Sequence, residues 1–226
     1  MSESWLLIET SATPRLGVSA GGIVVGSQEL GSGRQHNRAL IPTIEELMRG
    51  AGLKFAELAG IRVGIGPGSY TGLRIGITAA KALAYALEKP LVAVPSYAII
   101  ANRSPLEYAR VDILGDALNR TIYLQRFGPV NEATGLRMAL DEVHIEGIGT
   151  YIASRDGETW IGGPGATTFS GELPSDRCLP MEIRSPDMPT MERVGRTLNS
   201  LNRMELLALE PLYLRGSSAE EKSKAG

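Results

Sequence analysis

The sequence predicts an α/β chain folded as two lobes with mixed sheets. Three patterns carry that expectation. Strand hairpins are followed by alternating strands and helices, the element order that builds mixed α/β layers. A strand that ends on an acidic residue and folds back occurs at Glu9 and again at Asp116, 107 positions later. A strand that runs into a Gly-Pro-Gly turn occurs at Gly66-Pro67-Gly68 and again at Gly163-Pro164-Gly165, 97 positions later. Recurrence at about a hundred residues marks two related units. They are expected over 1–103 and 104–216, with a small, charged and disordered tail over 217–226.

Trp5 to Glu9, Leu16 to Ala20 and Ile23 to Leu30 read as three antiparallel strands, the last two joined by the tight-turn pair Gly21-Gly22. Asn37 to Arg49 is an amphipathic helix with Leu40, Ile44, Leu47 and Met48 on one face, ended by Gly50 and Gly52. Arg62 to Gly66 is a buried strand entering Pro67 to Gly72. The helix after it reaches Leu87, where Lys89-Pro90 stops it. Leu91 to Val94 is a strand, and Ser96 to Asn102 a helix capped by Ser96. After Ser104-Pro105 the pattern restarts, with strands at Arg110 to Gly115 and Thr121 to Phe127. A weakly patterned stretch leads to a helix near Gly147 to Ser154 and a strand at Thr159 to Ile161. Met191 to Arg203 reads as a helix and Pro211 to Arg215 as extended.

Composition removes several function classes. The chain has 226 residues, with 23 Lys+Arg against 25 Asp+Glu, a net charge of −2. A protein that binds nucleic acid by itself carries a basic excess, because affinity comes from neutralising phosphates. Arginines outnumber lysines 18 to 5 but are dispersed, with no basic stripe. The single cysteine, Cys178, cannot close an internal disulfide, which points to a reducing, cytoplasmic location. His36 and His144 are too far apart for a paired-histidine metal motif, and no metal site is expected. The segment MSESWLLIET lacks the features of a secretory signal. Residues 77–100, the most apolar part, are broken by Lys81, Glu88, Lys89, Pro90 and Pro95. They cannot supply the ~20 apolar residues a membrane helix needs.

The strongest local signal is GIGPGSYTGLRIG, Gly64 to Gly76. Glycines between a strand and a helix let the backbone approach something closely, and helix N-termini attract anions. Neither standard phosphate fingerprint fits: Gly-Lys occurs nowhere, and GxGxxG fails from both Gly64 and Gly66. A tight, closely packed strand-to-helix turn is the simplest reading. Along the helix, Leu73, Ile77, Ala80, Ala84 and Leu87 face the sheet. Gly72, Gly76 and Ala79 form a strip of small residues beside them, and Arg74, Thr78, Lys81 and Glu88 a polar edge. A glycine inside a helix costs about 1 kcal/mol relative to alanine, so Gly76 requires a close contact. That contact is either the helix Asn37 to Arg49 or a second subunit. On the subunit reading, a bulky residue at Gly76 weakens the complex and leaves the monomer folded. Glu9, Thr10, Ser11 and Asp116 sit at strand ends, where carboxylates could hold Mg²⁺-bound phosphates through water. Otherwise Thr10 and Ser11 cap a turn and Glu9 is solvated.

Glu9-Thr10-Ser11, the helix entry Gln35-His36-Asn37, and above all GIGPGSYTGLRIG followed by AAKALAYALEKPLVAV resemble the TsaB family. The resemblance is densest over residues 5–103 and continues through Gly115-Asp116-Ala117, Gly163 to Ala166 and Pro211 to Arg215. The family usually opens with Asp-Thr-Ser, where this chain has Glu9. The resemblance implies two lobes of the actin/hexokinase/Hsp70 type, with ribonuclease H-like sheets. It also implies a non-catalytic accessory subunit of tRNA threonylcarbamoyladenosine (t6A) synthesis, acting with the catalytic paralogue TsaD, the ATPase TsaE and the carbamoyl-adenylate maker TsaC. TsaD carries its metal on a His-x-x-x-His helix that His36 and His144 cannot reproduce. ATP, Mg²⁺ and the metal are expected in the partner complex, with none bound by this chain alone, and tRNA is reached only through the complex. Family members use two N-lobe helices for a homodimer and for the TsaD contact. The expected interface is Tyr70, Thr71, Gly72, Arg74, Ile75, Gly76, Thr78 and Ala79, and the expected vestigial nucleotide site is Glu9, Thr10, Ser11 and Asp116. The alternative is a small Mg-ATP-dependent kinase or ATPase using Glu9 and Asp116. A protease would need an activated water or nucleophile, and no such arrangement is identifiable.

Overall fold

A strand that is buried along both faces belongs in the middle of a sheet, and β1 (Ser4–Glu9) is such a strand, with only Trp5 partly exposed. In the computed structural model, which describes residues 3–31, 36–212 and 214 and all their side chains except those of 36–38, β1 pairs antiparallel with β2 (Arg15–Ala20). β2 pairs antiparallel with β3 (Ile23–Glu29). α1 (His36–Gly50) then crosses to β4 (Leu58–Gly64), which runs parallel to β1 on its other side. α2 (Tyr70–Leu87) crosses in turn to β5 (Leu91–Val94), parallel to β4, so the first sheet has the order β3-β2-β1-β4-β5. Successive side chains of β1 serve two cores. Leu6 and Ile8 pack with Leu40, Ile44 and Met48 of α1 and Ile77, Ala80 and Ala84 of α2, whereas Leu7 faces the opposite layer.

α3 (Ser96–Ala101) links the lobes: Ile99 packs with the first sheet, and Tyr97, Ile100 and Ala101 pack with the second. The second sheet, also of five strands, repeats the central pairings of the first. β6 (Val111–Asp116) pairs antiparallel with β7 (Thr121–Asn131) and parallel with β10 (Trp160–Gly162), as β1 does with β2 and β4. β8 (Leu136–Ala139) and β9 (His144–Gly147) both pair with β7. α4 (Ile148–Ser154) follows β9, and where the first lobe has the 18-residue α2 the second has only α5 (Gly165–Thr168) after the Gly-Pro-Gly turn. Gly163 and Gly165 lie against Leu114 of β6, and of the equivalent first-lobe glycines Gly68 lies against Ser11, just beyond β1, and Gly66 against Leu73. The expected two-lobed fold with mixed sheets is the observed one.

The C-terminal part departs from expectation. The helix anticipated over Met191 to Arg203 is two helices, α6 (Met188–Gly195) and α7 (Arg203–Ala208). Asp187 starts α6 by accepting from the Thr190 amide at 2.8 Å, and Asn202 with Glu205 forms a separate capping box for α7. Neither helix stays with the second lobe, contrary to a boundary that runs to residue 216. Met188, Met191 and Val194 cover the far face of the first sheet together with Leu7 and Val92. A buried ion pair between Arg62 of β4 and Glu192 holds α6 there, and the Ser19 hydroxyl donates to Glu192 Oε2 at 2.8 Å. The Arg62 guanidinium also lies 4.1 Å from the Trp5 ring centroid. Further on, Leu201 N donates to Leu91 O at 2.8 Å, Lys81 Nζ to Leu207 O and Leu209 O, and Leu212 N to Ile65 O. Gly33 to Gln35, Tyr213, Arg215 and the tail over 217–226 lie outside the described residues. Among those described, no helix is long and apolar enough to cross a membrane.

Candidate functional site

The two stretches that stand out in the sequence meet at one place. β1 ends at Glu9, Thr10 and Ser11 follow, and the 65–69 loop folds directly over them. Ser69 N donates to Ser11 O at 2.7 Å, and the Ser69 hydroxyl accepts from Gly72 N at 3.2 Å as the N-cap of α2. Four glycines explain the spacing of the motif. A Cβ on Gly64 would overlap the Glu9 carboxylate, one on Gly68 the Ser11 carbonyl, one on Gly72 the Thr10 carbonyl, and one on Gly76 the Thr10 hydroxyl. The glycines therefore serve close packing within the chain. Gly66, at φ +96°, also needs the left-handed region that side chains disfavour.

The loop leaves Glu9, Thr10 and Ser11 1%, 1% and 7% exposed. Ser11 N donates to Glu9 Oε1 at 2.6 Å, and the Ser96 hydroxyl donates to Oε2 at 2.8 Å while accepting from Gly66 N at 3.1 Å. Ser96 is thus a site residue rather than a helix cap, a role that sequence reading missed because its partners lie 87 and 30 positions away. The Thr10 hydroxyl is buried without a hydrogen-bond partner. Burial raises the Glu9 carboxyl above its ordinary value, and the bonds from Ser11, Ser96 and Thr10 offset only part of that. A raised carboxyl favours folding below its unfolded value of 4.5 and loses that contribution as pH rises through its folded value. Glu9→Gln is therefore expected to gain stability relative to the parent chain as pH climbs from 4.5 to 7. Urea denaturation of both across that range checks this, and parallel pH profiles would contradict it.

This geometry corrects two readings. Glu9 is neither solvated nor open to a Mg²⁺-bound phosphate, since both its oxygens are used inside the first lobe. Asp116 ends β6 in the other sheet, exposed, and its Oδ1 accepts from Leu118 N at 2.7 Å across the turn that follows. The residues grouped as a vestigial nucleotide site thus do not offer two carboxylates to one Mg-phosphate, and the kinase reading loses its acidic pair. The small strip is the second correction. Gly76 is buried and Gly72 half-buried, both against Thr10 rather than α1 or solvent, so a bulky residue at Gly76 must disturb the monomer itself. Ile75 and Ala79 are half-buried and pack against the first-lobe core. The outward face of α2 carries exposed Thr71, Arg74 and Thr78 with half-buried Tyr70 in its first half and exposed Ala82, Tyr85 and Ala86 further on, and Arg74 lies 5.0 Å from the Tyr70 ring centroid.

Comparison with known proteins fits this arrangement. A family model described as "TsaD: tRNA N6-adenosine threonylcarbamoyltransferase" matches residues 20–146, more than half of the chain. The "tRNA threonylcarbamoyladenosine biosynthesis protein TsaB" of Haemophilus influenzae is 23% identical, with 84% of each chain covered. The chain belongs to this family, in its TsaB group. A tRNA N6-adenosine threonylcarbamoyltransferase of Syntrophobacter fumaroxidans is 46% identical over 33% of this TsaB-family chain, which spans only 21% of that enzyme's length. YeaZ from Pseudomonas aeruginosa superposes with a TM-score of 0.75 at 22% identity, covering 94% of this chain and all of that one. The fold of that protein is thus shared along almost the entire chain.

Proposed function

We propose that this chain is a non-catalytic accessory subunit in t6A synthesis, docking a TsaD-like catalytic paralogue through the outward face of α2 together with α1. The observation that carries the reading is the inward commitment of the family-specific string. Glu9 and the motif glycines are spent on packing, and the side chains that the string turns outward along α2 are Tyr70, Thr71 and Arg74, continued by Thr78 just beyond it. Tyrosine and arginine are the residue types that most often anchor interfaces, and the stacking of Arg74 on Tyr70 preorganises both. The same face would serve a homodimer in the absence of the partner. A TsaE-like ATPase, ATP with Mg²⁺, the catalytic metal and tRNA enter through the assembled complex in the cytoplasm. A net charge of −2 supports leaving tRNA affinity to the partner.

Arg74→Glu is expected to weaken binding to the paralogue at least tenfold while leaving the melting temperature of the isolated chain unchanged. Titration calorimetry and thermal melting read the two effects separately. Unchanged affinity with an unchanged fold would place the interface elsewhere.

A further inference from the structure

The second lobe holds a cleft that the docking reading does not use. It lies between β6, β7 and α4, with a volume of about 190 Å³. At about 30 Å³ per water that is room for roughly six waters, the size of a small amino acid rather than a nucleotide. Opposite charges line it. Asp112 is 5% exposed, and the only hydrogen bond to its carboxylate among those described comes from the Tyr151 hydroxyl, 3.1 Å from Oδ2. Arg126, its cross-strand partner, is committed to Asp141 at 2.8 Å and to Glu146 at 3.4 Å. Arg110 is held only loosely, 3.6 Å from Asp156. Arg155 also lines the cleft; its charge acts on the Tyr151 hydroxyl and on Asp112, and its Nε and Nη2 are screened from water without a hydrogen-bond acceptor at bonding geometry. Those two nitrogens form the guanidinium edge that grips a carboxylate with parallel N–H bonds. Leaving such a group buried and unpaired is costly, as is an under-satisfied buried carboxylate.

We infer that this cleft binds a small zwitterion, its ammonium group against Asp112 and its carboxylate against Arg155 and Arg110. Reaching Nε and Nη2 takes a turn of the Arg155 side chain toward the cleft. Titration supports the assignment. Burial pushes the Asp112 carboxyl up to about 6, with Tyr151, Arg126 and Arg155 drawing it down and Asp141 pushing it up. A bound ammonium favours the ionised carboxylate, so binding near pH 6 releases a proton, and affinity rises about tenfold from pH 5 to pH 7. Asp156 beside Arg110, Asp141 and Glu146 beside Arg126, and His144 beside Asp141 and Glu146 complete the charged surroundings.

The test is titration calorimetry and thermal shift on the intact chain, using glycine, L-alanine and L-serine against acetate and methylammonium chloride. Millimolar amino acid is expected to raise the melting temperature where neither half-molecule does. Asp112→Asn and Arg155→Gln should each weaken binding at least tenfold while ligand-free melting stays cooperative. No shift with any amino acid, an equal shift with acetate, or full binding by both variants would overturn the proposal. Should the variants fail to fold, the pH profile of the parent chain decides: a tenfold rise from pH 5 to 7 supports the zwitterion site, and a flat profile overturns it.

Discussion

Gly76→Ala is expected to destabilise the chain by about 1–3 kcal/mol, the usual cost of forcing extra atoms into a packed interior. The direction is informative because helix propensity runs the other way: alanine is the better helix former by about 1 kcal/mol. In a solvent-facing strip, alanine would stabilise α2. Here its Cβ would overlap the Thr10 hydroxyl, so β1 and α2 must separate or Thr10 must change rotamer. Thr10 is 1% exposed beneath the 65–69 loop and has little room to move. Urea denaturation reads the sign directly. A variant as stable as the parent chain would mean that the strip does not pack on β1, and would return it to the list of surfaces open to a second subunit.

The second large effect concerns the return of the chain to its first sheet. Glu192→Ala should cost about 3–5 kcal/mol, because it leaves Arg62 charged and buried with its principal partner removed. Burial already lowers the Arg62 pKa, with Glu192 acting to restore it. Trp5 covers the guanidinium from one side and Gly195 leaves space for its stem, so neither supplies a replacement acceptor. Replacing both partners with apolar residues, as in Arg62→Met with Glu192→Leu, should recover most of the loss. α6 is the element expected to loosen in the single variant, exposing the connection at 196–202 to protease before the rest unfolds. Equal stability of Glu192→Ala and the parent chain would show that the pair does not hold α6 in place.

The first lobe was readable because its elements obey simple patterns: apolar runs for β1, β4 and β5, helical periodicity in α1 and α2, and glycines where elements end. β8 and β9 were not readable, and the reason is physical. Each is four residues long without alternating burial, and β8 buries Arg137 while exposing Met138. Arg137 is tolerated inside only because Ser104, Tyr108, Pro105 and Gly128 supply oxygen acceptors for its guanidinium, and most of those lie far from it in sequence. The same distance hid the Arg62–Glu192 clamp, although an arginine inside the otherwise apolar β4 was a visible hint. At the candidate site, the spacing of the glycines announced a close approach. That the approached object is the chain's own Glu9-Thr10-Ser11, sealed by Ser96, could not be read from local sequence, because the pairings join segments about 60 and 87 residues apart.

The accessory-subunit account stands or falls on the partner. Mixing the purified chain with its TsaD-like paralogue and resolving the mixture by size-exclusion chromatography tests it most directly, with the TsaE-like ATPase and nucleotide present in a parallel run. The account predicts a co-eluting complex that Arg74→Glu disrupts. Separate elution under both conditions would contradict it.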